Sequence, residues 1–125
     1  PQNPTHLLQI WILPDREGHK PKYGQTSFAS ALAQGNFVLT ASKDGREGSI
    51  SIHQDVDMYV VKSPEAGQKT YELKSGRNAW IQLIKGQVQI NGEKLSPGDG
   101  AAISSEKALS LQWEPKSEFI FFDLP

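Results

Sequence analysis

Hydrophobic and polar residues alternate over short stretches along most of the chain, which is the pattern of half-buried β-strands. In residues 49–53, Ile50 and Ile52 fall on one face, and two serines and His53 fall on the other. Turn residues separate these stretches at intervals of roughly 8–12 residues, which indicates an all-β sandwich or barrel. From residue 37 onward the predicted strands are 37–40, 49–53, 58–62, 69–73, 79–85, 87–90, 101–104, 109–113 and 119–124.

Two turns in the second half of the chain are specific enough to predict individually. Asn91-Gly92 follows the strand 87–90, and both residue types tolerate positive φ, so the pair predicts a tight hairpin. Pro97-Gly98-Asp99 predicts the next reversal, because proline presets the first turn position and glycine accepts the second.

The N-terminal third of the chain has a different pattern. Residues 7–13 read Leu-Leu-Gln-Ile-Trp-Ile-Leu and stop at Pro14, which predicts a buried strand. Residues 15–36 carry scattered glycines and prolines with little periodicity and predict a long connection, a candidate interdomain linker. Within it, residues 27–34 predict two helical turns, capped by Ser27 or Thr26 and ended by Gly35.

Composition narrows the classes of function. The 125 residues suit one domain, and 13 Lys+Arg against 14 Asp+Glu give a net charge of -1, which argues against a nucleic-acid partner. The absence of cysteine excludes disulfides and thiolate metal sites, and no apolar run reaches the roughly 18 residues of a membrane span. Because Pro1 is neither a start methionine nor part of a signal peptide, we expect a cytoplasmic fragment of a longer protein.

The second half of the chain resembles a known family. Residues 80–93 and 95–100, with a glycine-ended strand, a hairpin and a Pro-Gly-Asp turn, resemble the middle of a cupin. Together with residues 3–14, 51–55 and 122–125, they resemble the C-terminal half of the pirin-like bicupins, some of which are bacterial quercetin 2,3-dioxygenases. The resemblance implies a cupin-type double-stranded β-helix, or jelly-roll barrel, with an N-terminal extra strand and linker.

The same resemblance divides the chain into three parts. Residues 1–14 resemble the strand that closes an N-terminal cupin, residues 15–36 the crossover, and residues 37–125 the C-terminal cupin domain. Cut away from the first cupin, the apolar side chains of residues 7–13 would lie in water, at roughly 1.5–3 kcal/mol for each large one. We therefore expect this strand to pair with a sheet edge of its own chain, of the N-terminal cupin, or of a second copy.

Cupins of this kind hold a metal with a His-x-His pair, a nearby Glu and a later His. We take Gly86 as the glycine that ends the first motif and count the ligand positions from it. The His pair then falls on Leu73 and Ser75, or on Glu72 and Lys74, and the Glu falls on Ala79. The late His falls on Leu109, so most of these positions carry residues that cannot coordinate a metal. The resemblance thus implies no metal and no cofactor in this chain, and places the metal of the enzymatic members in the N-terminal cupin.

Four residues remain as candidates for ligand binding. His53 and Asp55 would share a strand face, as in a facial iron triad, but no later histidine supplies the third ligand. A structural pair, in which the carboxylate orients the imidazole, is the simpler interpretation. Trp80 and Trp113 could line a pocket for a flavonoid, although aromatic residues at strand spacing are more often core.

Three functions stay open from the sequence. The first is a non-catalytic, metal-free C-terminal cupin that supports or contacts a metal-bearing N-terminal cupin. The second is the C-terminal half of a quercetin 2,3-dioxygenase-type oxygenase whose active site lies in the N-terminal half. The third is a stand-alone barrel that binds a small molecule inside, with His53 facing an internal cavity.

Overall fold

Two β-sheets packed face to face form most of the structure, a computed structural model that describes residues 7–21 and 23–125. One helix precedes them, α1 (Ala29–Ala33). The strands are β1 (Val38–Ser42), β2 (Ile50–Ser51), β3 (Asp57–Ser63), β4 (Gly67–Glu72), β5 (Asn78–Lys85), β6 (Val88–Ile90), β7 (Glu93–Leu95), β8 (Gly100–Ile103), β9 (Ala108–Trp113) and β10 (Ser117–Leu124). The all-β prediction is confirmed. Residues 1–6, which include His6, and Lys22 lie outside the described residues.

The strands are interleaved between the sheets. The six-stranded sheet has the order β2-β1-β3-β10-β5-β8, and the four-stranded sheet has the order β4-β9-β6-β7. The ladders are antiparallel, except that β1 and β2 run parallel. The last strand, β10, pairs with β3 on one side and β5 on the other, so the end of the chain forms a central strand of the larger sheet. Such interleaving of early and late strands in two sheets is the jelly-roll arrangement.

The core lies between the sheets, where alternate residues of each strand point inward. Phe119 and Phe121 of β10 are fully buried, and Leu109 and Leu111 of β9 meet them from the other sheet. Trp113 packs edge-on against Phe119, with ring centroids 5.5 Å apart. Its indole also lies against the backbone of β4: a Cβ at Gly67 would approach two indole carbons to 2.5 Å, so a residue with a side chain would displace the ring.

Both predicted turns are confirmed. Asn91 and Gly92 have φ values of 47° and 87° and join β6 to β7 in a two-residue hairpin. In the next reversal the Asp99 N–H donates to the Ser96 carbonyl at 2.9 Å, and Gly98 has a φ of 90°. The Asp99 carboxylate in turn accepts the Ser96 N–H at 2.9 Å, which closes the loop from both sides.

The predicted helix is present but shorter than expected. It covers Ala29–Ala33 with Phe28 as its N-cap residue, so the cap predicted at Ser27 or Thr26 is wrong, although the Ala29 N–H donates to the Ser27 hydroxyl at 3.4 Å. The helix ends at Gly35, which has a φ of 74° and donates its N–H to the Leu32 carbonyl. The helix packs on β3 and thereby ties the connection 15–36 to the six-stranded sheet.

The strand predicted for residues 7–13 is wrong for this chain on its own. These residues form no strand in the described structure, and Trp11 and Leu13 are 92% and 85% exposed. Two hydrogen bonds hold the end of the segment: the Gln54 amide donates to the Leu13 carbonyl, and the Asp15 N–H donates to the His53 carbonyl. The apolar segment 7–13 therefore does not pair with a sheet edge of the same chain.

The predicted strand 49–53 is also longer than the observed one. Only Ile50–Ser51 pair with β1, and the Ile52 N–H reaches the Ser42 carbonyl just beyond them. His53 and Asp55 therefore lie in the connection to β3 and not on a shared strand face. No helix within residues 7–21 and 23–125 is long and apolar enough to cross a membrane.

Candidate functional site

The positions at which the resemblance places metal ligands lie in the core of this structure. Leu73, Ala79 and Leu109 are at most 4% exposed and belong to one buried cluster. The ladder β4–β9 brings the first and last of them together, since the Leu73 N–H donates to the Lys107 carbonyl at 2.9 Å. The spacing argument therefore identified neighbouring positions, and their side chains are aliphatic.

The polar alternatives at these positions lie outside the cluster. Glu72, Lys74 and Ser75 are exposed, as expected for side chains that point away from a packed interior. Within the part of the chain that the structure describes, no group of three or more His, Asp or Glu side chains is arranged to hold a metal ion. The side chains of Leu73, Ala79 and Leu109 offer no ligand atoms to a cation.

A buried polar network closes one end of the sandwich. The Tyr71 hydroxyl of β4 donates to one oxygen of Asp123 on β10 at 2.6 Å, and Nε of Arg77 donates to the other oxygen at 2.5 Å. Arg77 also donates to the carboxylate of Asp55 at 2.7 Å and to its carbonyl at 3.1 Å. The guanidinium of Arg77 thus ties β10 to the loop before β3, and the Tyr71–Asp123 hydrogen bond joins the two sheets.

The network keeps Tyr71 protonated and neutral and Arg77 positively charged. Burial, reinforced by the hydrogen bond to Asp123, raises the pKa of Tyr71 well above its usual range, so the phenol stays a donor. Burial opposes the charge of Arg77, but the hydrogen bonds to Asp123 and Asp55 outweigh it and raise its pKa. Both groups are saturated by protein partners, which favours a structural role over general acid or base work.

An aromatic cluster lies directly beneath this network. Phe37 stacks on Tyr59 at 4.5 Å, and Tyr71 packs against Phe121 at 4.7 Å between ring centroids. A further ion pair, in which Arg46 grips both oxygens of Asp57 at 2.7 and 3.1 Å, lies beside the cluster at the surface. This end of the barrel thus holds a cluster of rings, and the paired charges of Arg46, Asp57, Arg77 and Asp123 line a surface pocket of about 650 Å³ above it.

His53 lies on the outside of the barrel. Its ring stacks on His19, with centroids 3.9 Å apart and an interplanar angle of 10°. The His19 ring meets Asp15 at 2.6 Å, and Lys43 reaches the same carboxylate at 3.1 Å. The hydrogen bond with His19, followed by that from Lys43, lowers the pKa of Asp15 to about 2.

The four predicted ligand-binding residues are not brought together. His53 lines a surface groove with Ile10, Ile12 and Pro14 and with residues 19–21 and 23–26, and Asp55 is held by Arg77. Trp113 is buried between the sheets, whereas Trp80 is 38% exposed on the outer face of the six-stranded sheet. The predicted His53–Asp55 strand pair is therefore wrong, and the interior cavity faced by His53 has no support in this arrangement, because packed side chains fill the interior.

The outer face of the six-stranded sheet is a feature that sequence reasoning missed. The register places Met58 opposite Phe122, Phe122 opposite Trp80, and Val60 opposite Ile120, so these five large apolar side chains share that face. The available signal was the unbroken run Phe119-Ile120-Phe121-Phe122, because a strand without alternation is typically covered on both faces.

The outer face of the four-stranded sheet is polar. Gln68 pairs with Gln112, Gln112 with Gln89, and Gln89 with Lys94, which forms one row across all four strands. The sandwich therefore has one outer face suited to water and one suited to a further apolar surface.

Comparison with known proteins identifies the family of this chain. The model of the quercetinase C-terminal cupin domain family matches residues 39–124. A quercetin 2,3-dioxygenase of Escherichia coli K12 is 42% identical over 120 residues, which cover 96% of this chain and 51% of that protein. The chain spans about half the length of the curated relatives it matches.

Solved structures agree in fold. The crystal structure of YhhW from Escherichia coli superposes with a TM-score of 0.83 at 38% identity, covering 92% of this chain and 48% of that one. A crystal structure of the bacterial pirin YhhW in complex with nickel(II) gives the same TM-score at 39% identity, with the same coverage.

Proposed function

Because the chain belongs to the quercetinase C-terminal cupin domain family, as the resemblance to pirin-like bicupins indicated, we propose that it is a metal-free, non-catalytic cupin domain. Its role is to support and contact a metal-bearing N-terminal cupin. The domain keeps the cupin sandwich but uses its centre for packing, so its contribution to the whole protein is structural.

The observation that carries this proposal is the state of the metal positions. Transition metals need imidazole or carboxylate ligands that converge on an open coordination site. Leu73, Ala79 and Leu109 present methyl and methylene groups to the same buried volume. A metal site there would require several substitutions and the removal of packed aliphatic atoms, which favours a structural use of this core.

The proposed partner rests on two unsatisfied apolar surfaces. Residues 7–13 place Leu7, Trp11 and Leu13 largely in solvent, and the outer face of the six-stranded sheet exposes Trp80. Large apolar side chains exposed in this way favour a contact with another protein surface. Since the chain spans about half of its relatives, the cupin that would precede it is the partner that best fits both surfaces.

Oxygen uptake with a flavonol tests the proposal. The chain, free of tags, is mixed with quercetin and nickel(II) or iron(II) in an oxygen electrode, with full-length YhhW in parallel as the two-domain control. We expect uptake by this chain to equal that of metal and flavonol alone. Turnover above that background by the isolated chain would overturn the non-catalytic assignment.

The second candidate, half of a quercetin 2,3-dioxygenase-type oxygenase, is favoured by the 42% identity to the Escherichia coli protein of that name. It predicts that the chain joined behind the N-terminal half of that protein consumes oxygen with quercetin. A matched control carries substitutions of the histidines in the N-terminal half only. Loss of uptake in that control assigns the chemistry to the other domain and leaves this chain a supporting one.

A further inference from the structure

A groove of about 600 Å³ lies between α1 and the adjoining ends of β3, β5 and β10. Its apolar wall comes from Leu32 and Ala33 of the helix and from Pro64 after β3. This volume falls within the roughly 300–1,000 Å³ of small-molecule sites. The groove is separate from the aromatic end of the barrel and from the N-terminal segment.

Packing of the helix end on β3 builds this groove. A Cβ at Gly35 would lie 2.8 Å from the Ser63 hydroxyl, so the helix end approaches the strand as closely as a glycine allows. Ser63 donates its hydroxyl proton to the Glu65 carbonyl at 2.7 Å. Ser117 donates to the Gln87 carbonyl and accepts the Gln87 N–H. Both hydroxyls are thus occupied, and the wall offers few neutral polar groups to a ligand.

Three lysines surround the groove. Lys62 and Lys85 lie on either side of Glu118 in the ladders of β10, and Lys116 occupies the turn before β10 with a φ of 63°. In the described residues, none of the three ammonium groups lies within ion-pair distance of a carboxylate, although the register places Glu118 between two of them. Three ammonium groups against one carboxylate leave the rim net positive.

We propose that this groove binds a small amphipathic anion, a molecule with an apolar body of fatty-acyl size and one carboxylate. The apolar body lies along Leu32, Ala33 and Pro64, and the carboxylate lies among the ammonium groups of Lys62, Lys85 and Lys116. Lysine suits both parts of such a ligand, because its methylene stem covers apolar surface while its charged end reaches the anion.

Binding of a fluorescent fatty acid, 11-(dansylamino)undecanoate, to the whole chain tests the proposal. We expect saturable binding to one site, and at least tenfold weaker binding of the methyl ester, which keeps the apolar body and lacks the charge. Affinity should fall as salt rises, because the lysines are solvent-facing. Equal affinity for acid and ester, or binding that does not saturate at one equivalent, would overturn the proposal.

Matched variants locate the site. Lys62→Gln with Lys85→Gln should weaken binding about tenfold, whereas Lys94→Gln with Lys107→Gln removes the same charge elsewhere and should change affinity less than twofold. Ala33→Trp fills the groove without changing charge and should abolish binding, with thermal unfolding by circular dichroism showing that the fold persists. Equal losses in both lysine pairs would overturn the site.

An acidic peptide provides the last arm of the test. An octaglutamate peptide shares the negative charge but lacks the apolar body, so we expect it not to displace the dansyl fatty acid at equal concentration. Displacement by the peptide, or peptide binding without fatty-acid binding, would assign the groove to an acidic protein segment and overturn the amphipathic anion.

Discussion

The outer face of the six-stranded sheet carries Met58, Phe122 and Trp80 in register, whereas the corresponding face of the four-stranded sheet carries a row of glutamines ending at Lys94. The two sheets share one apolar core, so packing inside the sandwich does not explain the difference. A polar face needs only water, while an apolar face is stabilised by another surface. The contrast shows that the outer face of the six-stranded sheet, where Trp80 is 38% exposed, is the more apolar of the two outer faces.

The first prediction concerns the shared interior, where the two sheets should behave alike. Leu83→Ala on the six-stranded sheet and Leu111→Ala on the four-stranded sheet should each lower the free energy of unfolding by about 2–5 kcal/mol, because both side chains are at most 1% exposed. Urea unfolding followed by tryptophan fluorescence measures this. A loss below about 1 kcal/mol in either variant would mean that its side of the interior is not packed.

The second prediction concerns the two arginine–carboxylate pairs at one end of the sandwich. Arg77→Ala leaves the buried Asp123 carboxylate with the Tyr71 hydroxyl alone and should cost about 3 kcal/mol, at the lower end for a buried pair. Arg46→Ala removes a more exposed guanidinium from Asp57 and should cost about 0–1 kcal/mol in the same urea assay. Equal losses in both variants would contradict a special role for the buried network.

The third prediction concerns the two outer faces directly. Trp80→Gln with Phe122→Gln should weaken binding of this chain to the separately produced N-terminal half of the Escherichia coli relative at least tenfold, since burial of one large side chain is worth about 1.5–3 kcal/mol. Gln89→Ala with Gln112→Ala on the opposite face should leave association unchanged. Sedimentation velocity over a range of concentrations compares the pairs, and an effect confined to the glutamine pair would reverse the assignment of the faces.

The smallest effect is expected outside both sheets. The contacts with His19 and Lys43 lower the pKa of Asp15 to about 2, below its ordinary 3.8. Above pH 3.8 these contacts therefore stabilise the folded arrangement of Asp15, His19 and Lys43. This contribution is lost as the pH falls through about 2. NMR titration of the Asp15 carboxyl should give that lowered midpoint, with Asp15→Asn as the control that removes it. A midpoint near 3.8 would show that the contact does not persist in solution.

Short-range signals predicted the elements of the barrel well. The alternation in 109–113 and the turn Asn91-Gly92 depend on neighbouring residues, and both appear as expected. The segment 7–13 was misjudged because apolar composition reports a need for burial and not the presence of a partner strand. The strand predicted for residues 49–53 is shorter in the structure, because only Ile50 and Ser51 pair with β1.

Long-range contacts could not be predicted in the same way. Spacing against Gly86 predicts ligand positions at Leu73, Ala79 and Leu109, and the structure shows that all three belong to one buried cluster. Nothing in the sequence near Arg77 indicates that it binds Asp55 and Asp123, residues 22 and 46 positions away. The outer apolar face likewise depends on the register of β3, β10 and β5, which only the folded chain supplies.

Metal retention by the isolated chain tests the central claim most directly. The tag-free chain and full-length YhhW are each equilibrated with nickel(II), desalted and measured by inductively coupled plasma mass spectrometry. We predict far less than one equivalent on this chain, because Leu73, Ala79 and Leu109 offer no ligands, and retention by the two-domain protein. One equivalent held tightly by the isolated chain would contradict the account and return a metal centre to this domain.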